Sequence, residues 1–266
     1  HTKGMIVIYL IKKTLDFYSK NFVKFSYEEY FSKQIIKIGK FNIIEISNNL
    51  NIPKETARRK LIELEKAGII KKGIKTIFID RSAFRFIKPD DSITSISHFL
   101  SVFSKLLVDE KFLLKPLTSI DIKKNIEKHF SYIWKIYYDM QIAMIISYKK
   151  IFKDIETWHI FGTCVVNQHI YSKKVSNFEM NRKEFIASIS ADADMLGINA
   201  MSISDVTGIP RATVVRKLNE LIKKKILTID KKKHYKVSGI FVKKLLPLQN
   251  NVLHHLSDFS SKIFNL

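Results

Sequence analysis

Ile46-Ser-Asn-Asn-Leu-Asn-Ile-Pro-Lys-Glu-Thr-Ala-Arg-Arg-Lys-Leu-Ile-Glu-Leu-Glu-Lys-Ala-Gly-Ile-Ile70 decides the reading of this chain, because it returns 157 residues later. The second occurrence is Ile203-Ser-Asp-Val-Thr-Gly-Ile-Pro-Arg-Ala-Thr-Val-Val-Arg-Lys-Leu-Asn-Glu-Leu-Ile-Lys-Lys-Lys-Ile-Leu227, with 12 of 25 positions identical and no gap. Self-similarity at this level marks one structural unit used twice. Within each copy Pro53 or Pro210 suits the first position of a helix, where a missing N–H costs nothing. Ala57, Leu61 and Leu64 then follow at i, i+4 and i+7, as do Val214, Leu218 and Leu221. That spacing lays an apolar stripe toward a core. A short helix, a turn and a second helix is the layout expected of each copy.

The flanking sequence extends the unit. Residues 5–25 read as an amphipathic N-terminal helix through Met5, Ile8, Tyr9, Leu15, Tyr18 and Phe22. Ser26-Tyr-Glu-Glu29 has the capping-box pattern, so a helix is expected from there to about Ile38. After the first copy, Ile69-Ile-Lys-Lys and Thr76-Ile-Phe-Ile79 flank Gly73, a hairpin signal. After the second, Ile226-Leu-Thr-Ile229 and His234-Tyr-Lys-Val237 flank Asp230-Lys-Lys-Lys233. A hairpin directly after a helix-turn-helix is a wing. The helix that opens the second unit is expected at Arg182–Ala193.

Between the copies, residues 84–180 show no strand signal. Ser92–Leu107 reads as helix, Pro116 breaks the chain, and Thr118-Ser-Ile-Asp121 caps a long helix to about residue 150. That helix is apolar on nearly every side from Tyr132 to Tyr148, which demands burial. Ile155–Tyr171 supplies a second apolar helix to cover it, and Val252–Phe264 reads as a last short helix. The expected fold is mainly α with small β-hairpin wings. Its parts are an N-terminal helix (1–25), a winged helix (26–83), a central helical domain (84–180), a second winged helix (181–243) and a tail (244–266). The aromatics Trp134, Tyr137, Tyr138 and Trp158 suit either a helical core or dimer interface, or the lining of a small-molecule effector pocket.

Charge narrows the partners. The 266 residues carry a formal net charge of +21, with a pI near 9.8, so a polyanion is favoured. Residues 53–75 hold eight Lys/Arg against three Asp/Glu, and residues 210–236 hold ten against two. Positive charge thus coincides with both copies of the repeat, where an ordinary lysine run would be only a solvated face. The reading helices expose Lys54, Glu55, Arg58 and Arg59 in one copy and Arg211, Arg216 and Asn219 in the other. A B-DNA major groove admits one such helix, and Arg grips guanine O6 and N7 with two parallel bonds. Thr56 and Thr213 sit where a hydroxyl or free N–H holds a phosphate. The wing lysines Lys71, Lys72 and Lys75, then Lys231, Lys232 and Lys233, suit the flanking backbone. The competing reading of Arg59 and Arg216 is a solvated face or an i,i+4 pair such as Arg59 with Glu63.

Ile-Pro-Lys-Glu-Thr-Ala-Arg-Arg-Lys-Leu and Ile-Pro-Arg-Ala-Thr-Val-Val-Arg-Lys-Leu resemble the recognition helices of bacterial winged-helix transcription regulators. The cAMP-receptor-protein, MarR and IclR types are the nearest patterns. By that resemblance Lys54, Glu55, Arg59, Arg211 and Arg216 match base-reading positions, while Ala212 replaces the acidic residue. The resemblance covers about 45 residues in each copy and none of residues 84–180.

Other chemistry finds little support. Cys164 is the single cysteine, so no intrachain disulfide forms; this suits a reducing compartment, and an apolar neighbourhood suits an inert thiol more than a redox switch. No apolar segment approaches the roughly 20 residues of a membrane span, and no signal peptide is evident. His129, His159, His169, His254 and His255 lack zinc spacing, no glycine-rich phosphate loop exists, and no catalytic set stands out. No metal, no cofactor and no enzyme activity is therefore expected. The function expected is sequence-specific binding of double-stranded DNA by a cytoplasmic, nucleoid-associated prokaryotic transcription regulator. Two readers on one chain would face successive major grooves about 34 Å apart, and the central helices would set that spacing or join a homodimer. The alternatives are a plasmid-type replication initiator and a protein-interaction scaffold that docks through its winged helices.

Overall fold

The computed structural model describes residues 2–38, 42–73, 76–83, 88–176 and 196–266. Helices α1 (Thr2–Lys20) and α2 (Tyr27–Phe31) lead to β1 (Ile35–Ile38), α3 (Ile43–Leu50), α4 (Lys54–Lys66), β2 (Ile70–Lys72) and β3 (Ile77–Asp80). Then come α5 (Asp90–Asp109), α6 (Ser119–Lys128), α7 (Phe130–Phe152) and α8 (Ile155–Ser176). From residue 196 on lie α9 (Ala200–Thr207), α10 (Arg211–Lys223), β4 (Leu227–Ile229), β5 (Tyr235–Val237) and α11 (Gly239–Phe264). The chain is mainly helical with small antiparallel sheets. It divides into two compact units, His1–Ile146 with His254–Leu266, and Ser147–Leu253.

In the first unit a three-stranded antiparallel sheet has the order β1-β3-β2. Ile79 pairs with Ile36 on one side and Ile70 on the other. These three side chains and Ile38 and Ile77 turn inward and are buried. Each contributes roughly 1.5–3 kcal/mol by leaving water. Helix α1 lies against α3, α4 and β1 through Met5, Ile6, Tyr9 and Leu10, so it is an integral part of the helix-turn-helix core. Helices α5 and α6 pack together through Ile93, Leu100, Ile122 and Ile126. Phe130 at the start of α7 meets the rings of Tyr27, Tyr30, Phe31 and Trp134.

Four sequence expectations need correction. The helix expected from Ser26 to Ile38 ends at Phe31, although its capping box forms as read. Ile35-Ile-Lys-Ile38 is a strand instead, because β-branched residues with alternating burial suit a pleat better than a helix end. The helix expected from Thr118 to about residue 150 is two helices, interrupted at His129. Helix α7 is fully buried only toward its two ends, through Phe130, Ile133, Trp134 and Ile136 at one and Phe152 at the other; between Tyr137 and Lys149 Ile142 is buried and the rest are half-buried. The short C-terminal helix is the end of a 26-residue helix that carries Pro247 inside it. The expected helix at Arg182–Ala193 lies outside the described residues.

The second unit has its own core, in which Phe152, Phe161 and Phe241 meet ring against ring. Helix α8 packs on α9, α10 and β5, the place α1 takes in the first unit. The buried Gln168 of α8 accepts a hydrogen bond from the Val237 N–H of β5 at 2.8 Å. Cys164 is wholly buried in this core, and burial pushes its thiol up to about 12, leaving it protonated. Among the described residues no helix is long and apolar enough to cross a membrane.

Candidate nucleic-acid interface

The turn that sets α4 on α3 is built from side-chain hydrogen bonds. Asn42 caps α3 by accepting from the Ile44 N–H. Asn51 ends it in the left-handed region at φ 48°, a conformation Asn tolerates because its amide bonds locally. Ser47 Oγ then donates to the Ile52 carbonyl at 2.7 Å and locks the bend. Pro53 starts α4, which buries Ala57, Leu61 and Leu64 and leaves Lys54, Glu55, Arg58 and Arg59 exposed. Thr56 is half-buried at the helix start. Gly68 (φ 71°) stops the helix, with the Ile69 N–H returning to the Leu64 carbonyl at 3.0 Å.

The same construction recurs between residues 199 and 237. Asn199 caps α9, Gly208 ends it at φ 67°, and Ser204 Oγ donates to the Ile209 carbonyl, again at 2.7 Å. Pro210 starts α10, which buries Val214, Leu218 and Leu221 and exposes Arg211, Arg216 and Asn219; Thr213 is half-buried. The Ile226 N–H returns to the Leu221 carbonyl at 2.9 Å. The left-handed positions exchange residue types: Asn51 matches Gly208, and Gly68 matches Lys225 at φ 58°. A lysine held there is strained by about 1 kcal/mol. Lys225→Gly should therefore stabilise the protein by about that amount, read as a higher midpoint in urea; an unchanged or lower midpoint would show that the left-handed turn carries no penalty here.

Strands β4 and β5 pair antiparallel, with Leu227 opposite Val237. Their connection, residues 230–234, is one residue longer than residues 73–76 in the first unit. Asp230 accepts from the Lys232 and His234 N–H groups at 2.9 Å each, which shapes the tip. Those bonds hold the Asp230 carboxyl below the usual range, with His234 as the strongest influence. Where the first unit has strand β1, the second has a single bridge between Ile198 and Tyr235. A Cβ on Gly197 would come within 2.8 Å of His234 Cβ, so glycine is needed for the chain to approach. This third-strand position escaped the sequence reading in both units, though Ile35-Ile-Lys-Ile38 carried the signal.

The cations of these surfaces fall into two groups. Lys54, Arg59, Lys71, Arg211, Lys231, Lys232 and Lys233 are exposed, and no carboxylate among the described residues lies within 4.0 Å of them. Arg58 reaches Glu55 at 3.9 Å, Lys72 reaches Glu65 at 2.8 Å, and Arg216 reaches Glu220 at 3.0 Å. Exposed pairs of this kind are worth about 0–1 kcal/mol, so a phosphate or base can replace the carboxylate. The Arg59 pair with Glu63 does not form; Glu63 is held by Lys60 at 2.7 Å and by Lys3. The i,i+4 alternative thus applies to Arg216 alone. Lys75 lies outside the described residues.

One repeated residue has a different task in each copy. Lys60 pairs with Glu63 on its own helix, while Lys217 is buried and pairs with Asp154 through both oxygens, at 2.7 and 2.8 Å. It also reaches Thr157 Oγ1 at 3.1 Å and Glu156 at 3.3 Å. Sequence reasoning passed over this lysine, because a Lys in a basic helix gives no local sign of burial.

In the first unit, the exposed basic helix α4 set on the short α3 by a tight turn and followed by the β2–β3 hairpin makes a winged helix-turn-helix. Residues 31–74, from the end of α2 through β2, match the DeoR-like helix-turn-helix domain. That match names the DeoR-like type, where α4 and α10 resemble the cAMP-receptor, MarR and IclR patterns. No curated protein and no solved structure matches the chain.

Proposed function

We propose that the protein is a sequence-specific double-stranded DNA-binding transcription regulator that reads DNA with two winged helices, residues 26–83 and 181–243. The carrying observation is the exposed face at the start of α4, where Lys54 and Arg59 have no ion-pair partner among the described residues and stand beside Glu55 and Arg58. The DeoR-like match over the same segment supports it. The second winged helix rests on the recurrence of the Ser47 turn at Ser204 and on the exposed Arg211 and Arg216. The readers differ at Glu55/Ala212 and Arg58/Val215, so one chain prefers an asymmetric site. Phe99, Val102 and Leu106 form an exposed apolar row on α5, which suits a homodimer through the central helices. A homodimer would bind a palindrome of composite halves. The replication initiator and the docking scaffold stay as the competing readings, from within and outside DNA binding.

Selection from a random duplex library with the purified full chain tests all of this. An isolated, asymmetric or composite-palindromic site is the expected outcome; clustered direct repeats favour the initiator, and no enriched site favours the scaffold. Arg59→Ala and Arg216→Ala should each cost about 1–3 kcal/mol at the preferred site and relax the preference at one base pair. Unaltered preference in both variants would move the reading face elsewhere.

A further inference from the structure

Beside α1, the sheet and α7 of the first unit lies a cavity of about 420 Å³. That is within the size range of small-molecule sites. Val7, Ile11, Ile36, Leu64 and Trp134 give it apolar walls. Polar side chains line it as well, and two of them, Arg81 and Tyr30, are more than nine-tenths buried. Arg81 spends Nη1 on the carbonyls of Tyr30 and Lys33, at the end of α2, and lays its plane 4.1 Å from the Tyr30 ring. Its Nη2 and the Tyr30 hydroxyl are buried close to one another, and among the described residues neither makes a hydrogen bond of good geometry.

Buried polar atoms are nearly always satisfied, and a buried cation without a counter-charge is costly. Among the described residues no carboxylate lies within 4.0 Å of Arg81. The other charged groups lining the cavity are the exposed Lys3 and Lys88, which reach Glu63 at 3.5 Å and Glu28 at 3.8 Å. Donors without acceptors, cations in excess and apolar walls together specify a ligand.

We infer that this cavity binds a small organic carboxylate with an apolar body, its carboxylate gripped by Arg81 Nη2 and the Tyr30 hydroxyl. Charge-assisted bonds from a guanidinium and a phenol suit a carboxylate, and the hydrocarbon part lies against Val7, Ile36 and Leu64. Trp134 and Tyr138, two of the four aromatics singled out for a pocket, line this cavity. Of the other two, Tyr137 packs on Phe259, and Trp158 stacks on Tyr148 at 4.3 Å in the second unit. The inference is independent of the DNA-binding reading.

Calorimetric titration of the full chain with 3-phenylpropanoate, octanoate, 3-phenylpropanamide and acetate provides the test. At least one of the two larger carboxylates should bind saturably at one site. The phenylpropanamide, lacking the charge, and acetate, lacking the apolar body, should bind roughly tenfold to a hundredfold more weakly than that carboxylate. Tyr30→Phe, which keeps the ring packing, should weaken the bound carboxylate by about tenfold. Arg81→Lys, which keeps the charge but not the fork, should do likewise, with circular dichroism reporting an intact fold for both. No saturable binding of either larger carboxylate at millimolar concentration overturns the inference. So does equal binding of acid and amide, or a Tyr30→Phe protein with unchanged affinity.

Discussion

Between 50 and 200 mM salt the full chain should lose roughly three orders of magnitude of affinity for duplex DNA, if six phosphates are neutralised. The reason is entropic. Each cation placed on a phosphate releases condensed counterions, and that release is worth less as bulk salt rises. Seven exposed cations of the proposed surfaces are free of carboxylates among the described residues: Lys54, Arg59, Lys71, Arg211, Lys231, Lys232 and Lys233. Six contacts correspond to a slope of log K against log salt near −5, at about −0.9 per phosphate. Combining Lys231→Ala with Lys232→Ala should flatten the slope by roughly 2 and weaken all sequences alike. Anisotropy titrations on a labelled duplex measure both quantities. Protein docking through a winged helix would give no such slope for DNA, so a value near zero would favour the scaffold reading.

How much of this was legible beforehand follows from the range of the forces involved. Helices α4 and α10, the proposed readers, were legible because their signals are local: a proline at the start, a stripe at i, i+4 and i+7, a repeat of the whole. Asn51 and Gly208 carry a local sign of the left-handed turn as well, residue types that tolerate it, but that sign was not used. Ile35-Ile-Lys-Ile38 was misread because β1 is specified by its partner β3, 40 or so residues away, and four residues carry little periodicity of their own. Arg81 was invisible for a related reason. Its neighbours in sequence, Asp80 and Ser82, are unremarkable, and only the fold brings it under the Tyr30 and Phe31 rings. The cavity polarity that follows from Arg81 is a property of packing, not of any motif.

Lys217 is the sharpest instance, and its energetics give the second large effect. Asp154→Ala should destabilise the second unit by about 3 kcal/mol, since it strands a buried ammonium. Glu156, at 3.3 Å but half-exposed, recovers only part of the loss, and the start of α8 also loses the carboxylate that accepts from the Thr157 N–H. Lys217→Met should cost much less, because it removes the buried charge and leaves Asp154, which is 41% exposed, in water. The double variant should then fall close to Lys217→Met with the added loss of the cap, short of the sum of the two single changes. Acid should erase the difference between Asp154→Ala and the natural chain. Burial pushes the Asp154 carboxyl up, but the bonds from Lys217 and Thr157 outweigh it, so its pKa in the folded protein lies below the usual carboxylate value. The stability it contributes is complete above the unfolded carboxylate range, about pH 5, and disappears as pH falls through the lower folded value. Urea unfolding at pH 7 and along a descending acid series reads this directly. A gap that persists in acid would mean that the carboxylate acts through packing, and a Lys217→Met protein as unstable as Asp154→Ala would mean that the lysine's partners, not its isolation, set the cost.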